Sequence, residues 1–436
     1  MESVIVSVFI VGYLLIAFEH PIRINKTATA LLTGTLCWAL LALAPGDMIN
    51  GLVTEGILTS PDGMAAFLNG TLSHQLANIS GILFFLIGAM TIVELIDAHD
   101  GFHFITARIK TKDVRQLLWI ISWVTFFLSA VLDNLTTTIV MVSLLRTVVP
   151  YRDLRMLFTG IIIIAANAGG AWSPIGDVTT TMLWIGGQVS SGSIIQSLFL
   201  PSVVCLVVPL IFLSFRLKGK IEGFEKEAPK QPMHKSGNTM LAVGMAALIC
   251  VPVFKTVTHL PPFMGILLGL GVLWIFSEFL NPTLDDAERT RYSVAGALSR
   301  IDIPSVLFFF GILLAVGALE SIQLLEHFAH NLDDLIGDQR VIITLIGIGS
   351  AIVDNVPLVS ASMAMYSMES FPMDTMIWHY LAYCAGTGGS LLIIGSAAGV
   401  AAMGMEKIDF FWFLRNISFL ALLGYGSGAI CYLLMQ

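Results

Sequence analysis

Two Asp-Asn pairs stand in the middle of long apolar segments of this 436-residue chain. They are Asp133-Asn134 in segment 116–149 and Asp354-Asn355 in segment 341–370. Carboxylate and amide oxygens are hard ligands, so these pairs suit a small hard cation. The alternative is that both pairs only cap short helices, because Asp and Asn are good N-caps. The two roles can coexist, since a helix break leaves free carbonyl groups beside the Asx side chains.

Further oxygen donors surround both pairs. The first segment offers Ser129, Thr136, Thr137 and Thr138, and the second offers Ser350, Ser360 and Ser362. Softer metals would instead call for Cys or His ligands. Because the carboxylates would repel an anion, the two segments predict a cation site.

Asp177 is a third candidate, and it follows the sequence NAGGAWSPIG within the apolar run 157–187. The glycines and Pro174 predict that this helix unwinds, which exposes carbonyl groups near the carboxylate. The alternative is a helix-terminus cap at the aqueous rim. The second half reads GTGGSLLIIGSAAG and places Ser396 opposite Asp177, so the predicted site is chemically asymmetric.

The elements that position these residues must lie in a membrane. Only 12% of the residues are charged, 56% are hydrophobic and the mean hydropathy is +0.85. A soluble domain carries about 25% charged residues, so a soluble enzyme and a nucleic-acid binder are excluded. Runs long enough to cross a bilayer recur along the chain. The composition therefore predicts an all-α polytopic membrane protein.

We predict ten transmembrane helices and two re-entrant hairpins. The predicted spans are 4–18, 27–45, 79–97, 157–187, 194–215, 239–254, 262–280, 303–322, 376–405 and 408–434. With the N-terminus outside, the cytoplasmic loops carry 19 of the 22 Lys and Arg residues, including Lys26. This bias agrees with the positive-inside rule only if segments 116–149 and 341–370 enter the membrane and turn back. Both termini are then external, and Ser60 and Pro61 predict a short interfacial helix in the external loop 46–78.

The two halves repeat in sequence. Ser129-Ala-Val-Leu-Asp133-Asn134 matches Ser350-Ala-Ile-Val-Asp354-Asn355, and one further block upstream and one downstream recur in the same order, displaced by 219 to 224 residues. We predict a first repeat at 1–215, a cytoplasmic linker at 216–238 and a second repeat at 239–436. Five spans in each half invert the second copy, so its hairpin enters from outside. Inverted-topology repeats with paired broken helices are typical of secondary transporters.

Other ionisable residues are weaker candidates. Glu94 and Glu320 lie near the ends of matching spans, where they could relay protons or simply face the interface. The five cysteines are scattered in apolar runs and predict neither a disulfide framework nor a zinc site. The sequence contains no Walker motif, GxSxG or HExxH, so we expect no cofactor, no ATP drive and no enzyme activity.

Shared carboxylates predict a mechanism. If the same groups bind either a cation or protons, the carrier crosses loaded with one or the other, because an empty anionic site is costly to move through the membrane. Exchange of the cation against H⁺ follows from this competition.

The residues that carry this argument resemble those of a known family. SAVLDNLTTTIVM with NAGGAWSPIGDVTTT, repeated as SAIVDNVPLV with GTGGSLLIIGSAAG, is similar to the NhaD-type sodium/proton antiporters of the ion transporter superfamily. Dicarboxylate carriers of that superfamily have Ser-Asn-Thr where this chain has Asp-Asn. The Asp in place of Ser fits a cation.

The resemblance implies a scaffold domain and a transport domain in each protomer, a homodimer built through the scaffold, and elevator-like movement. It implies export of Na⁺, and of Li⁺, in exchange for H⁺ across a cytoplasmic (inner) membrane. It carries the Na⁺ and H⁺ ligands onto Asp133, Asn134, Asp177, Asp354 and Asn355, with Ser129, Thr137 and Ser350 as neighbours. Pro357-Leu358-Val359 replaces the three threonines of the first hairpin, which argues against a second equivalent cation site.

Two alternatives stay open at this point. An arsenite or dicarboxylate permease of the same superfamily would share the fold, although the acidic hairpins count against an anion. An intramembrane aspartyl protease also uses paired membrane aspartates. That class gives no reason for the repeat, and Pro174 stands where a GxGD motif needs Gly.

Overall fold

The computed structural model describes residues 2–17, 19–22, 24–44, 53, 63–102, 111–217, 219–220, 236–280, 292–352 and 354–436. Its regular elements are helices. The first half contains α1 (Glu2–Ala17), α2 (Glu19–Ile22), α3 (Lys26–Ala42), α4 (Met64–Ala98), α5 (Val114–Ser129), α6 (Asn134–Val148), α7 (Arg152–Ala171), α8 (Val178–Ile185) and α9 (Ser191–Arg216). The proposed interfacial start at Ser60 and most of the linker 216–238 lie outside the described residues.

The second half contains a similar series. It consists of α10 (Gly237–Thr258), α11 (Pro262–Leu280), α12 (Val294–Leu298), α13 (Ile303–Glu320), α14 (Leu324–Ile336), α15 (Gln339–Gly349), α16 (Asn355–Met365), α17 (Met376–Gly388), α18 (Ala397–Glu406), α19 (Phe410–Asn416) and α20 (Ser418–Met435).

Among the described helices, seven are long and apolar enough to cross a membrane, namely α4, α7, α9, α10, α11, α13 and α20. The predicted spans 4–18 and 27–45 are helices of 16 and 17 residues. The predicted span 376–405 is two shorter helices, α17 and α18. The chain is thus an all-α polytopic membrane protein, as its composition predicts.

One predicted loop is partly wrong. The external loop was expected to reach residue 78, but α4 begins at Met64 and continues for 35 residues. At 1.5 Å per residue it is about 52 Å long, well beyond a hydrocarbon core of about 30 Å. A hydropathy window marks only the part of a helix that crosses lipid, so it missed the polar first turns.

Three helix breaks occur at the predicted positions, and a fourth interrupts 376–405, which was predicted to be one continuous span. α5 ends at Ser129 and α6 begins at Asn134, and α7 gives way to α8 between Ala171 and Val178. The second half repeats this arrangement, with breaks between α15 and α16 and between α17 and α18. Each second helix begins directly after a side chain that caps it.

The helices pack in two groups. α5 to α9 and α15 to α20 surround the breaks, and α8 and α18 each pack on the hairpin helix of the opposite half, α16 and α6 respectively. α1, α3, α4, α10, α11 and α13 pack together as a second group. The groups meet where α4 contacts α8 and where α13 contacts α16. The four breaks therefore lie close together, beside an apolar wall.

Candidate cation site

Asp177 is the centre at which the two halves of the chain meet. Its Oδ2 accepts a hydrogen bond from Asn134 Nδ2 at 3.2 Å and another from Asn355 Nδ2 at 3.4 Å. The two asparagines belong to the two hairpins, one from each half. Asp177 is only 2% exposed, so the rim position considered as an alternative is wrong.

A buried amide extends this network. Asn167 Oδ1 accepts from Asn134 Nδ2 at 3.0 Å, and Asn167 Nδ2 donates to Ser390 Oγ at 2.9 Å and to Ser396 Oγ at 3.1 Å. Asn167 and Ser390 are not among the site residues that the sequence predicts. A signal was available, because Asn167 is a polar residue within the apolar run IIIIAANA, and buried amides require hydrogen-bond partners.

The selected aspartates also cap helices. Asp133 accepts from the Thr136 amide at 2.8 Å and from Thr136 Oγ1 at 2.7 Å. Asp177 accepts from the Thr179 amide at 3.2 Å, and Asp354 from the Val356 amide at 3.4 Å. The capping interpretation therefore describes the local geometry correctly. It does not account for the convergence of these caps on one place.

Ser129 and Ser350 lie beside the breaks but bond to helix carbonyl groups. Ser129 Oγ donates to the Ala166 carbonyl at 2.6 Å, and Ser350 Oγ is shared between the Gly347 carbonyl of its own helix at 2.7 Å and the Ala385 carbonyl at 3.2 Å. Both hydroxyls thus join a hairpin to the neighbouring broken helix. Thr137 is fully buried, and its hydroxyl has no hydrogen-bond partner among the described residues.

Lys26 lies in a place that the sequence analysis did not expect. Its Nζ is 3.0 Å from Asp354 Oδ2 and 4.6 Å from the centre of the Phe308 ring. Because Lys26 precedes a predicted span, the sequence predicts that it lies in a cytoplasmic loop. Lys26 is the first residue of α3, and the long apolar stem of a lysine lets its ammonium reach away from the helix end to Asp354. Its cytoplasmic placement stays a prediction.

A cavity of about 70 Å³ connects the three aspartates. Its size admits a few water molecules or one partly hydrated ion. One wall is formed by residues at the breaks and combines apolar side chains with the polar side chains of Asp133, Asn134, Asp177, Asp354 and Asn355. The opposite wall is mostly apolar and includes Phe85, Met90, Leu248, Ile266 and Phe309. The cavity thus lies at the boundary between the two packing groups.

Glu94 and Glu320 are not among the residues that line this cavity. Glu94 Oε2 is 3.0 Å from Arg300 Nε, and Glu320 Oε2 accepts from Gln75 Nε2 at 3.0 Å. Both carboxylates are therefore engaged at helix ends. Their suggested part in a proton path stays a prediction.

Comparison with known proteins shows which family the sequence of this chain belongs to. The profile described as citrate transporter matches residues 13–381. Sodium/proton antiporter 1 of Arabidopsis thaliana is 49% identical, over 98% of this chain and 71% of the relative. Sodium/proton antiporter 2 of the same plant is 46% identical, over 98% and 97%. The Na(+)/H(+) antiporter NhaD of Vibrio cholerae is 29% identical, over 98% and 91%.

The fold, the broken helices and these matches define a multi-pass membrane transporter of the ion transporter superfamily. Within that superfamily, the chain belongs to the NhaD-type sodium/proton antiporter family. The resemblance found in its hairpin motifs is thereby confirmed. Because the family consists of transporters, the aspartyl protease alternative is wrong.

Proposed function

We propose that this protein exchanges Na⁺, and also Li⁺, for H⁺. The observation that carries the proposal is the convergence of Asn134 and Asn355, from opposite halves, on the buried carboxylate of Asp177. Asp133 and Asp354 line the same cavity. The names of the antiporter relatives support the same ion pair.

The ligand chemistry supports a hard cation. Hard cations such as Na⁺ prefer oxygen ligands, and the break residues that line the cavity present carboxylate and amide oxygens. Each Asn amide has both a donor and an acceptor, so it can donate to Asp177 without the ion and turn its oxygen toward the ion. Protonation of Asp177 or Asp133 would remove the charge that attracts the cation. Competition between Na⁺ and H⁺ for these carboxylates therefore produces coupled exchange.

The movement we propose is elevator-like. The break-containing group, α5 to α9 with α15 to α20, would slide as a transport domain against a scaffold of α1, α3, α4, α10, α11 and α13. The scaffold side of the cavity is mostly apolar, which supports this division, because a slide along such a surface costs few hydrogen bonds. The polar contacts between the two groups include the Lys26–Asp354 ion pair and the hydrogen bond from Lys255 Nζ to the Trp184 carbonyl, and both would have to break. We also propose that the scaffold forms the homodimer contact within the lipid bilayer.

We propose two inverted repeats, at 1–215 and 239–436, joined by the cytoplasmic linker 216–238. The order of the helices supports this, because α5 to α8 recur as α15 to α18 with the same breaks. The hairpin 116–149 then enters from the cytoplasm and the hairpin 341–370 from outside. We place the protein in a cytoplasmic membrane with both termini external.

A second candidate is transport of a carboxylate anion, which the citrate-transporter profile favours. Lys26 is a cation that such a substrate could contact. Three carboxylates line the same cavity, however, and their repulsion of an anion outweighs one ammonium that is already paired with Asp354.

The deciding experiment uses purified protein in vesicles with an imposed pH gradient. Addition of Na⁺ or Li⁺ should dissipate the gradient within the assay time, and protein-free vesicles should not respond. Citrate uptake is measured in parallel. If no cation dissipates the gradient while citrate accumulates, the exchange proposal fails and the anion candidate replaces it.

A further inference from the structure

Lys26 supplies a positive charge to a cavity that is otherwise lined by acids, amides, hydroxyls and apolar groups. Its Nζ lies 3.0 Å from Asp354 Oδ2, and the two side chains are only 24% and 13% exposed. The ammonium also lies over the face of the Phe308 ring. A lysine that only oriented the protein in the membrane would extend into water, so this placement needs another explanation.

The backbone holds Lys26 in the second packing group. Asn25 caps α3 by accepting from the Thr27 amide, and Lys26 is the first residue of that helix. α3 packs closely on α13, where Trp38 Nε1 donates to the Leu314 carbonyl at 2.8 Å. Asp354, in contrast, caps α16 in the break-containing group. The ion pair therefore joins the two groups across the cavity.

The three cavity carboxylates differ in their partners. Asp133 accepts from Thr136 within its own helix turn, and Asp177 accepts from two neutral amides as well as the Thr179 amide. Among the residues that the structure describes, Asp354 is the one of the three that forms an ion pair. A Na⁺ ion at Asp354 would have to displace an ammonium that is held 3.0 Å away, whereas Asp133 and Asp177 face no such competitor.

We propose that Lys26 is the fixed counter-ion of Asp354, which makes Asp354 a charge-balancing and positioning residue rather than a Na⁺ ligand. The pair neutralises one of the three carboxylates and leaves Asp133 and Asp177 to exchange Na⁺ for H⁺. It also holds the second hairpin against α3 in the state seen here. This proposal rests on the proposed exchange function and deepens it.

The test is a double-mutant comparison in the vesicle assay. Asp354→Asn leaves an unpaired ammonium in the cavity, and Lys26→Met leaves an unpaired carboxylate, so each should lower Na⁺-driven exchange by about 100-fold. The double variant Lys26→Met/Asp354→Asn removes both charges at nearly constant volume. We expect it to recover exchange to within about tenfold of the wild type. Lys26→Met should not rescue Asp177→Asn.

Asp302→Asn is the matched control. Asp302 is another acidic residue whose charge acts on Lys26, but it does not line the cavity, and Asn preserves its role as N-cap of α13. This variant should exchange at the wild-type rate. If the double variant is as inactive as Asp354→Asn while it is folded, Asp354 is itself a ligand and the proposal is overturned.

A thermal-unfolding cycle in detergent tests the pair without transport. The two single variants should each lower Tm, and the double variant should lower it by less than the sum of both. If the Tm of the double variant falls by the full sum of the two single shifts, the two charges do not stabilise each other and the ion pair is overturned. Thermal unfolding does not require exchange activity. If the wild-type protein shows no antiport, the proposed function is refuted, and the unfolding data still decide whether Lys26 and Asp354 form a stabilising pair.

Discussion

The Asp177 carboxylate accepts hydrogen bonds from two Asn amides in opposite halves of the chain. It is therefore the residue that contacts both hairpins. Asp133 lies in the same cavity, but its hydrogen bonds to residues that the structure describes stay within its own helix turn. Both carboxylates therefore bring charge to the cavity, but Asp177 is held by side chains of other helices, whereas Asp133 is held by its own helix turn. Substitution by Asn separates charge from capping, because Asn caps a helix as well as Asp does.

We predict that Asp177→Asn and Asp133→Asn each lower Na⁺/H⁺ exchange by at least about tenfold, since loss of even an outer-shell partner at metal sites costs 10 to 100-fold. The protein should still fold, because the helix cap survives. Exchange measured in vesicles checks the loss of activity, and thermal unfolding checks that the protein still folds. Thr159→Ala is the control, because Thr159 is buried in α7 but its hydroxyl has no partner in the described structure. Wild-type exchange by Asp177→Asn would contradict the assignment.

The break in each broken helix lies in close backbone contact with the adjacent hairpin. A Cβ added at Gly176 would lie 2.4 Å from the Ser129 carbonyl oxygen, and one at Gly395 would lie 2.7 Å from Ala351 Cα. The two positions correspond in the repeats. In both halves the broken helix therefore presses its backbone against the break of the adjacent hairpin, and a side chain larger than hydrogen would separate them.

We predict that Gly176→Ala destabilises the protein by about 1–3 kcal/mol or prevents its accumulation, because the blocking atoms belong to the backbone and cannot rotate away. Gly192→Ala in α9 is the matched control, since nothing lies within 4 Å of its added Cβ. Thermal unfolding of both variants in detergent checks this. Equal melting temperatures for the two would show that the close approach is not required.

Many of the helices and three of their breaks could be predicted from the sequence. The breaks near Asp133, Asp177 and Asp354 follow from Asx caps and from glycine and proline within apolar runs, which are local signals. The N-terminal extension of α4 to Met64 was missed, because polar residues outside the lipid give no hydropathy signal. The bonding of Ser129 and Ser350 to carbonyl groups of other helices was also missed, because it depends on how helices distant in sequence come together.

The whole molecule has an orientation that the basic residues predict. If both termini are external and the linker 216–238 is cytoplasmic, single cysteines at Ser3 and Gln436 should react with a membrane-impermeant maleimide in intact cells. A cysteine at Lys226 should react only after permeabilisation. A variant without the five native cysteines provides the background. Labelling of Lys226→Cys in intact cells would refute the topology and with it the inverted arrangement of the two hairpins.

By itself, the sequence determined that this is a polytopic helical membrane protein and where its helices break, because composition and capping residues act locally. It also selected Asp133, Asp177 and Asp354, since a carboxylate within an apolar segment stands out without any structure. The tertiary structure decided which partners those carboxylates have. Asn167 joins the two halves across 223 residues to Ser390, and Lys26 reaches Asp354 across 328 residues. Such contacts depend on packing between distant helices, for which the spacing of residues along one helix contains no information.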